Sequence, residues 1–190
     1  DGIGRMGMAI SPTMPEVQYT LVDNRSPLPN KKGTVGGELY RSNDGGETWE
    51  KTHQETIQTA IGYDFCLVRV SPDNPEQIYI LGNKLMRSDD GGKTFYEILG
   101  TLVHLQEHQS PVLHLDHHEL WIDPQNPDRL LLGNDGGFQI SWDRGLSWLH
   151  YNNLPIAECY AVTLDLADPF NIYIGTQDDA ALFGPSDFRM

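Results

Sequence analysis

Residues 112 to 124 read VLHLDHHELWIDP, so three histidines and an aspartate fall within positions 114 to 118 just before an alternating apolar stretch. In an extended segment residues two apart share a face, which would point His114, Asp116 and His118 one way and His117 and Glu119 the other. A His-x-Asp-x-His comb of this kind suits a divalent ion such as zinc, manganese or iron, with Asp135 or Asp178 completing the shell. Such a metal is the one cofactor the pattern suggests. The same residues also have a plainer use, in which Asp116 orients an imidazole and the group satisfies backbone at a polar strand entrance. Direct contact with a ligand is the third use.

Which of these applies depends on the elements that carry the residues, and those elements repeat. Four segments align: MAISPTMPEVQYTLVDN, VRVSPDNPEQIYILGN, LWIDPQNPDRLLLGND and VTLDLADPFNIYIGTQDD. Each is an apolar alternation, a turn anchored by Pro15, Pro75, Pro127 or Pro169, and a second alternation: strand, turn, strand. In the first three units a third strand follows and ends in SNDGGETW, SDDGGKTF or SWDRGLSW. There Ser42, Ser88 or Ser141 precedes Asp44, Asp90 or Asp143, whose carboxylate can accept amide hydrogen bonds from its own turn. Gly46, Gly92 and Gly145 permit positive φ. Trp49, Phe95 or Trp148 then opens a fourth strand by plugging into the core. These aspartates are expected to hold hairpins, not to do chemistry.

The three turns resemble the Asp-box, or bacterial neuraminidase repeat, of sialidases, sortilin-type receptors and xyloglucan-active glycoside hydrolases. More narrowly, LYRSNDGGETWEK, DHHELWIDPQNPDRLLLGNDGG, NNLPIAECYAV and NIYIGTQDD resemble the large bacterial sortilin-like or glycosyl-hydrolase-like propeller proteins. TQDDA at 176 to 180 departs from the Gln-Asp-Asn-Gly more usual in such proteins. The resemblance implies an all-β fold, a β-propeller of four-stranded antiparallel blades. About three and a half blades are expected, at about 5–55, 62–100 and 114–152 with a half blade at 158–190. Because so few blades cannot close a ring, the chain reads as part of a longer protein that supplies the remaining blades, or as a piece that self-associates. An extracytoplasmic or secreted location follows from the resemblance alone.

Strand alternation sorts the loops. The proline turns and the Ser-x-Asp turns share one face. The opposite face gathers the turns between second and third strands, including Asn134, Asp135, Gln177 and Asp178, and the entrances to the first strands, namely Arg5, Asp64, the histidine cluster, and Glu158 with Tyr160. First strands line a propeller's channel, so these loops meet around one mouth. The ligand-binding set expected there is His114, Asp116, His117, His118, Asn134, Asp135, Glu158, Tyr160, Gln177 and Asp178. Binding of a protein, peptide or polysaccharide there is one reading. Hydrolysis is the other, either metal-assisted or, as the resemblance implies, xyloglucanase-like cleavage of a polysaccharide, which takes two carboxyl groups roughly 5 to 9.5 Å apart. Asp116, Asp135 and Asp178 are the catalytic candidates, with Asp179 and Glu158 as further acids. Sialidase chemistry would need an arginine cluster and a tyrosine nucleophile; the mouth offers Arg5, Tyr160 and little else, which argues against it. Trp142 and Tyr151 are aromatic platforms for a sugar, whereas Trp121, inside an alternating strand, is expected in the core.

Composition narrows the partners. A formal charge of −14, with thirteen scattered Lys and Arg residues, argues against nucleic acid, which needs a basic stripe. No apolar run of about 18 residues is present to insert in a bilayer. Cys66 and Cys159 lie in apolar stretches and are expected to be buried free thiols.

Overall fold

Sixteen strands in four sheets make up the described part of the computed structural model, which covers residues 2–29, 32–103, 113–151, 158–177 and 181–187, with 101–103 described by backbone alone. The fold is all-β and consists of propeller blades. Blade one contains β1 (Ile3–Ile10), β2 (Gln18–Pro27), β3 (Thr34–Ser42) and β4 (Glu50–Lys51), each antiparallel to the next. Blade two repeats this with β5 (Leu67–Ser71), β6 (Asn74–Leu81), β7 (Leu85–Ser88) and β8 (Tyr96–Glu97). After β9 (Thr101–Val103), blade three contains β10 (His117–Ile122), β11 (Leu130–Asn134), β12 (Gly137–Ser141) and β13 (Ser147–Tyr151). The last sheet contains β14 (Cys159–Leu164), β15 (Asn171–Thr176) and β16 (Ala181–Pro185).

Period-two alternation makes blade two apolar on both faces, and stacking between blades one and three buries those faces in two cores. Along β6, Ile78 and Ile80 join Tyr19, Leu21 and Leu39 of blade one, while Tyr79 and Leu81 turn the other way to meet Leu120, Leu130, Leu132 and Trp148. The inner strands crowd most closely: a Cβ on Gly7 would strike the carbonyl of Cys66. Arg41 and Arg144 clamp the blades at the proline-turn end. Arg41 reaches Glu76 at 2.6 Å, and Arg144 reaches Asp73 at 2.7 Å and Asp128 at 2.6 Å.

The Ser-x-Asp turns are built alike. Ser42 Oγ donates to Asp44 Oδ1 at 2.7 Å and accepts from Gly46 N at 2.8 Å, and Thr48 N and Oγ1 donate to the two Asp44 oxygens. Ser88, Asp90, Gly92 and Thr94 repeat this set, as do Ser141, Asp143, Gly145 and Ser147. Gly46, Gly92 and Gly145 all take positive φ. Hydrogen bonds, those from Thr48 foremost, hold the Asp44 carboxyl down at about 2. Trp148 is fully buried and donates its indole N–H to Gly145 O at 3.0 Å, whereas Trp49 makes the same bond half-buried.

Three features depart from expectation. Outside the expected blade bounds 62–100 and 114–152, β9 pairs in parallel with the outer strand β13 and covers the edge of blade three. Trp121 is 44% exposed, because its neighbours Leu120 and Ile122 take the face turned toward blade two. Cys66 is buried, but Cys159 is exposed on β14, whose side chains are exposed throughout.

Candidate functional site

Three loop groups converge on one cavity, at the end of the sheets where the mouth was expected. The first is a tight turn between blades one and two, closed by Gly62 N to Phe65 O at 2.6 Å and Phe65 N to Gly62 O at 2.8 Å. Gly62 has φ +105°, and a side chain there would press on the Asp23 carboxylate, so glycine is required. The turn holds Tyr63 outward, 82% exposed, with Asp64 beside it at 3.5 Å from Arg5.

The second group is the histidine cluster. Asp116 is left-handed (φ +63°), its N–H donates to Asn83 O at 3.2 Å, and its carbonyl accepts from Asp135 N at 3.3 Å. Strand β10 therefore starts at His117, with a register shift between His117 and Glu119, and the expected comb does not form. His118 reaches Asp135 Oδ1 through Nε2 at 2.8 Å and packs against Phe65 with ring centroids 5.3 Å apart. His114 lies back against Gly136, its Nδ1 on Leu115 O at 3.1 Å. His117 is 2% exposed, and burial, with His114 and His118 adding to it, pushes its imidazole down to about 4. Asn134 is also buried; it donates to His114 O at 3.1 Å, accepts from Gly136 N at 3.1 Å and lies 3.4 Å from His117 Nδ1. Asn134 and His117 thus position the loop from beneath.

The third group comes from the last sheet, where Gln177 N donates to Glu158 O at 3.1 Å and Tyr160 stands 74% exposed. Together the groups enclose a cavity of about 480 Å³, lined by Tyr63, Asp64, Phe65, Asp116, His118, Asp135, Glu158, Tyr160 and Gln177. Of the residues singled out in the sequence, Asp116, His118, Asp135, Glu158, Tyr160 and Gln177 line it. His114, His117 and Asn134 do not, and Asp178 and Asp179 lie outside the described residues. Tyr63 and Phe65 were not anticipated. Their signal is the Gly-Tyr-Asp-Phe run that flanks Asp64 in a long loop.

The cavity is rich in oxygen acceptors and flat rings. Among the described residues no group of three or more His, Cys, Asp or Glu side chains is arranged to hold a metal ion. Of the three metal candidates, His114 and His118 are separated by the left-handed Asp116, which breaks the alternation that would align them. Trp142 and Tyr151 are absent from the lining; Tyr151 packs on Phe138 instead. A second cavity, of about 450 Å³, opens beside His53, Met86, Lys93 and Phe95. The His53 ring is occupied there, with Nε2 accepting from Leu39 N at 2.9 Å and Nδ1 donating to Glu55 O at 2.6 Å. Among the described residues no helix is long and apolar enough to cross a membrane.

No protein-family profile and no curated protein matches the chain. Solved structures do resemble it. The GH74 enzyme of Niastella koreensis superimposes with a TM-score of 0.57 at 13% identity, over 97% of this chain and 29% of that one. The GH74 xyloglucanase of Xanthomonas campestris gives 0.57 at 15% identity, over 96% and 28%. YCF48 of Cyanidioschyzon merolae gives 0.52 at 17%, over 98% and 54%. The chain thus spans under a third of the two GH74 enzymes and about half of YCF48. At these identities the likeness concerns architecture alone, and the architecture is that of part of a β-propeller.

Proposed function

We propose that the protein is a propeller module that captures a protein, peptide or glycan at its channel mouth. The observation that carries this reading is the cavity itself: loops from separate blades bring carboxylates, an imidazole and exposed aromatic rings to one opening on a rigid scaffold. Its Ser-x-Asp turns are Asp-boxes in this reading, and the module is sortilin-like, works outside the cytoplasm and belongs with further blades.

Glycoside hydrolysis is the second reading. It is favoured by the two GH74 enzymes among the structural neighbours and by Asp116 and Asp135, whose backbones hydrogen-bond to each other at the cavity wall. Asp116→Asn and Asp135→Asn, each assayed for xyloglucan cleavage and for retained ligand capture, separate the two. Capture without cleavage supports the binding module. Cleavage that collapses in either folded variant replaces it with the hydrolase. Elemental analysis of protein purified without chelator tests the metal-assisted form of that reading, with His114→Ala/His118→Ala as the comparison.

A further inference from the structure

Resting on the mouth as a ligand site, we infer that its ligand is a peptide segment presenting an arginine or lysine side chain. Carboxylates alone would not distinguish such a ligand from many others; the shape and the rings do. The cavity is open to solvent and about 480 Å³, large enough for a side chain with flanking backbone. Tyr63 and Tyr160 stand at it 82% and 74% exposed, so their rings are open to a ligand that enters the cavity. Aromatic faces beside acidic groups are what a guanidinium or ammonium group selects, because the ring quadrupole and the carboxylate both attract it.

The charge inventory has the same sign. Asp64, Asp116, Asp135 and Glu158 line the cavity, and among the described lining residues the one side chain able to carry positive charge, His118, is already hydrogen-bonded to Asp135 at 2.8 Å. Arg5 approaches Asp64 from outside the lining at 3.5 Å, with both side chains more than half exposed, a contact that solvent weakens. The chain as a whole carries −14, which steers a cationic segment inward and repels an acidic one. A neutral polysaccharide would use the rings but bring no opposite charge to the acidic lining.

The test measures binding by fluorescence anisotropy. The probes are a fluorescein-labelled Gly-Ser peptide with two central arginines, the same peptide with glutamines in their place, and a labelled xyloglucan oligosaccharide. The arginine peptide is expected to bind at least about tenfold more tightly than the glutamine peptide, and to weaken as salt rises. Glu158→Gln and Tyr160→Ala, both exposed and so compatible with folding, are each expected to weaken it several-fold. If the two peptides bind alike, or only the oligosaccharide binds, and Tyr160→Ala still abolishes binding, the mouth is a ligand site but not a cation site. If the arginine peptide binds and neither substitution changes its affinity, the inference is overturned along with the mouth as the place of capture. Absence of binding by all three probes overturns it as well.

Discussion

Acid should destabilise this protein through His117 before its carboxylates titrate. The imidazole is 2% exposed beneath the mouth, and its folded-state pKa lies near 4 against an ordinary 6.5. A group with its pKa depressed on folding binds fewer protons in the folded than in the unfolded state. Its contribution is therefore complete above about pH 6.5, declines as pH falls, and is gone near pH 4. That difference corresponds to about 3 kcal/mol, a large fraction of the roughly 5–15 kcal/mol that holds a typical domain together. Urea unfolding at pH 7.5, 6.5, 5.5 and 4.5, followed by tryptophan fluorescence, would measure it. The comparison is with His117→Asn, which cannot titrate. Buried His53, lowered mainly by burial, and the carboxylates contribute to both proteins and cancel in the difference. The wild type should lose about 2–3 kcal/mol more than the variant between pH 7.5 and 4.5. Parallel profiles, whatever the variant's absolute stability, would show that the imidazole is not buried as a neutral group and would refute the reasoning.

The blade contacts make further predictions. Gly7→Ala forces a methyl against the Cys66 carbonyl and should cost about 1–3 kcal/mol, read as a lower urea midpoint at unchanged m-value; an unchanged midpoint would mean that the inner strands are not in contact. Trp148→Ala empties a fully buried site and should cost about 3–5 kcal/mol, whereas Trp49→Ala, in the matching turn but half-buried, should cost clearly less. Equal costs would show that the turn hydrogen bond, and not burial, gives these tryptophans their role. Ser141→Ala removes the acceptor of Gly145 N and a donor to Asp143 in a buried turn and should cost about 1–2 kcal/mol by the same assay.

The sequence alone determined what neighbouring residues decide among themselves. The strand alternation, the proline turns and the Ser-x-Asp turns rest on contacts a few positions apart, so Ser88, Asp90, Gly92 and Thr94 could be read directly, and so could the propeller blades they build. The face on which Asp116, His118, Asp135, Glu158, Tyr160 and Gln177 gather was also legible, because antiparallel pairing sends alternate loops to the same end.

Tertiary structure decided the rest. The comb of His114, Asp116 and His118 failed because Asp116 turns left-handed to bond Asn83 of the preceding blade, a partner no local pattern announces. Tyr63 and Phe65 joined the mouth only when the loop between blades one and two met His118 of blade three. Trp121 and Cys159 sit in apolar runs, yet they are exposed because burial depends on which face of a strand meets another sheet. Hydrogen bonds within a turn need only the turn, whereas a site shared by several blades exists only once the blades have stacked.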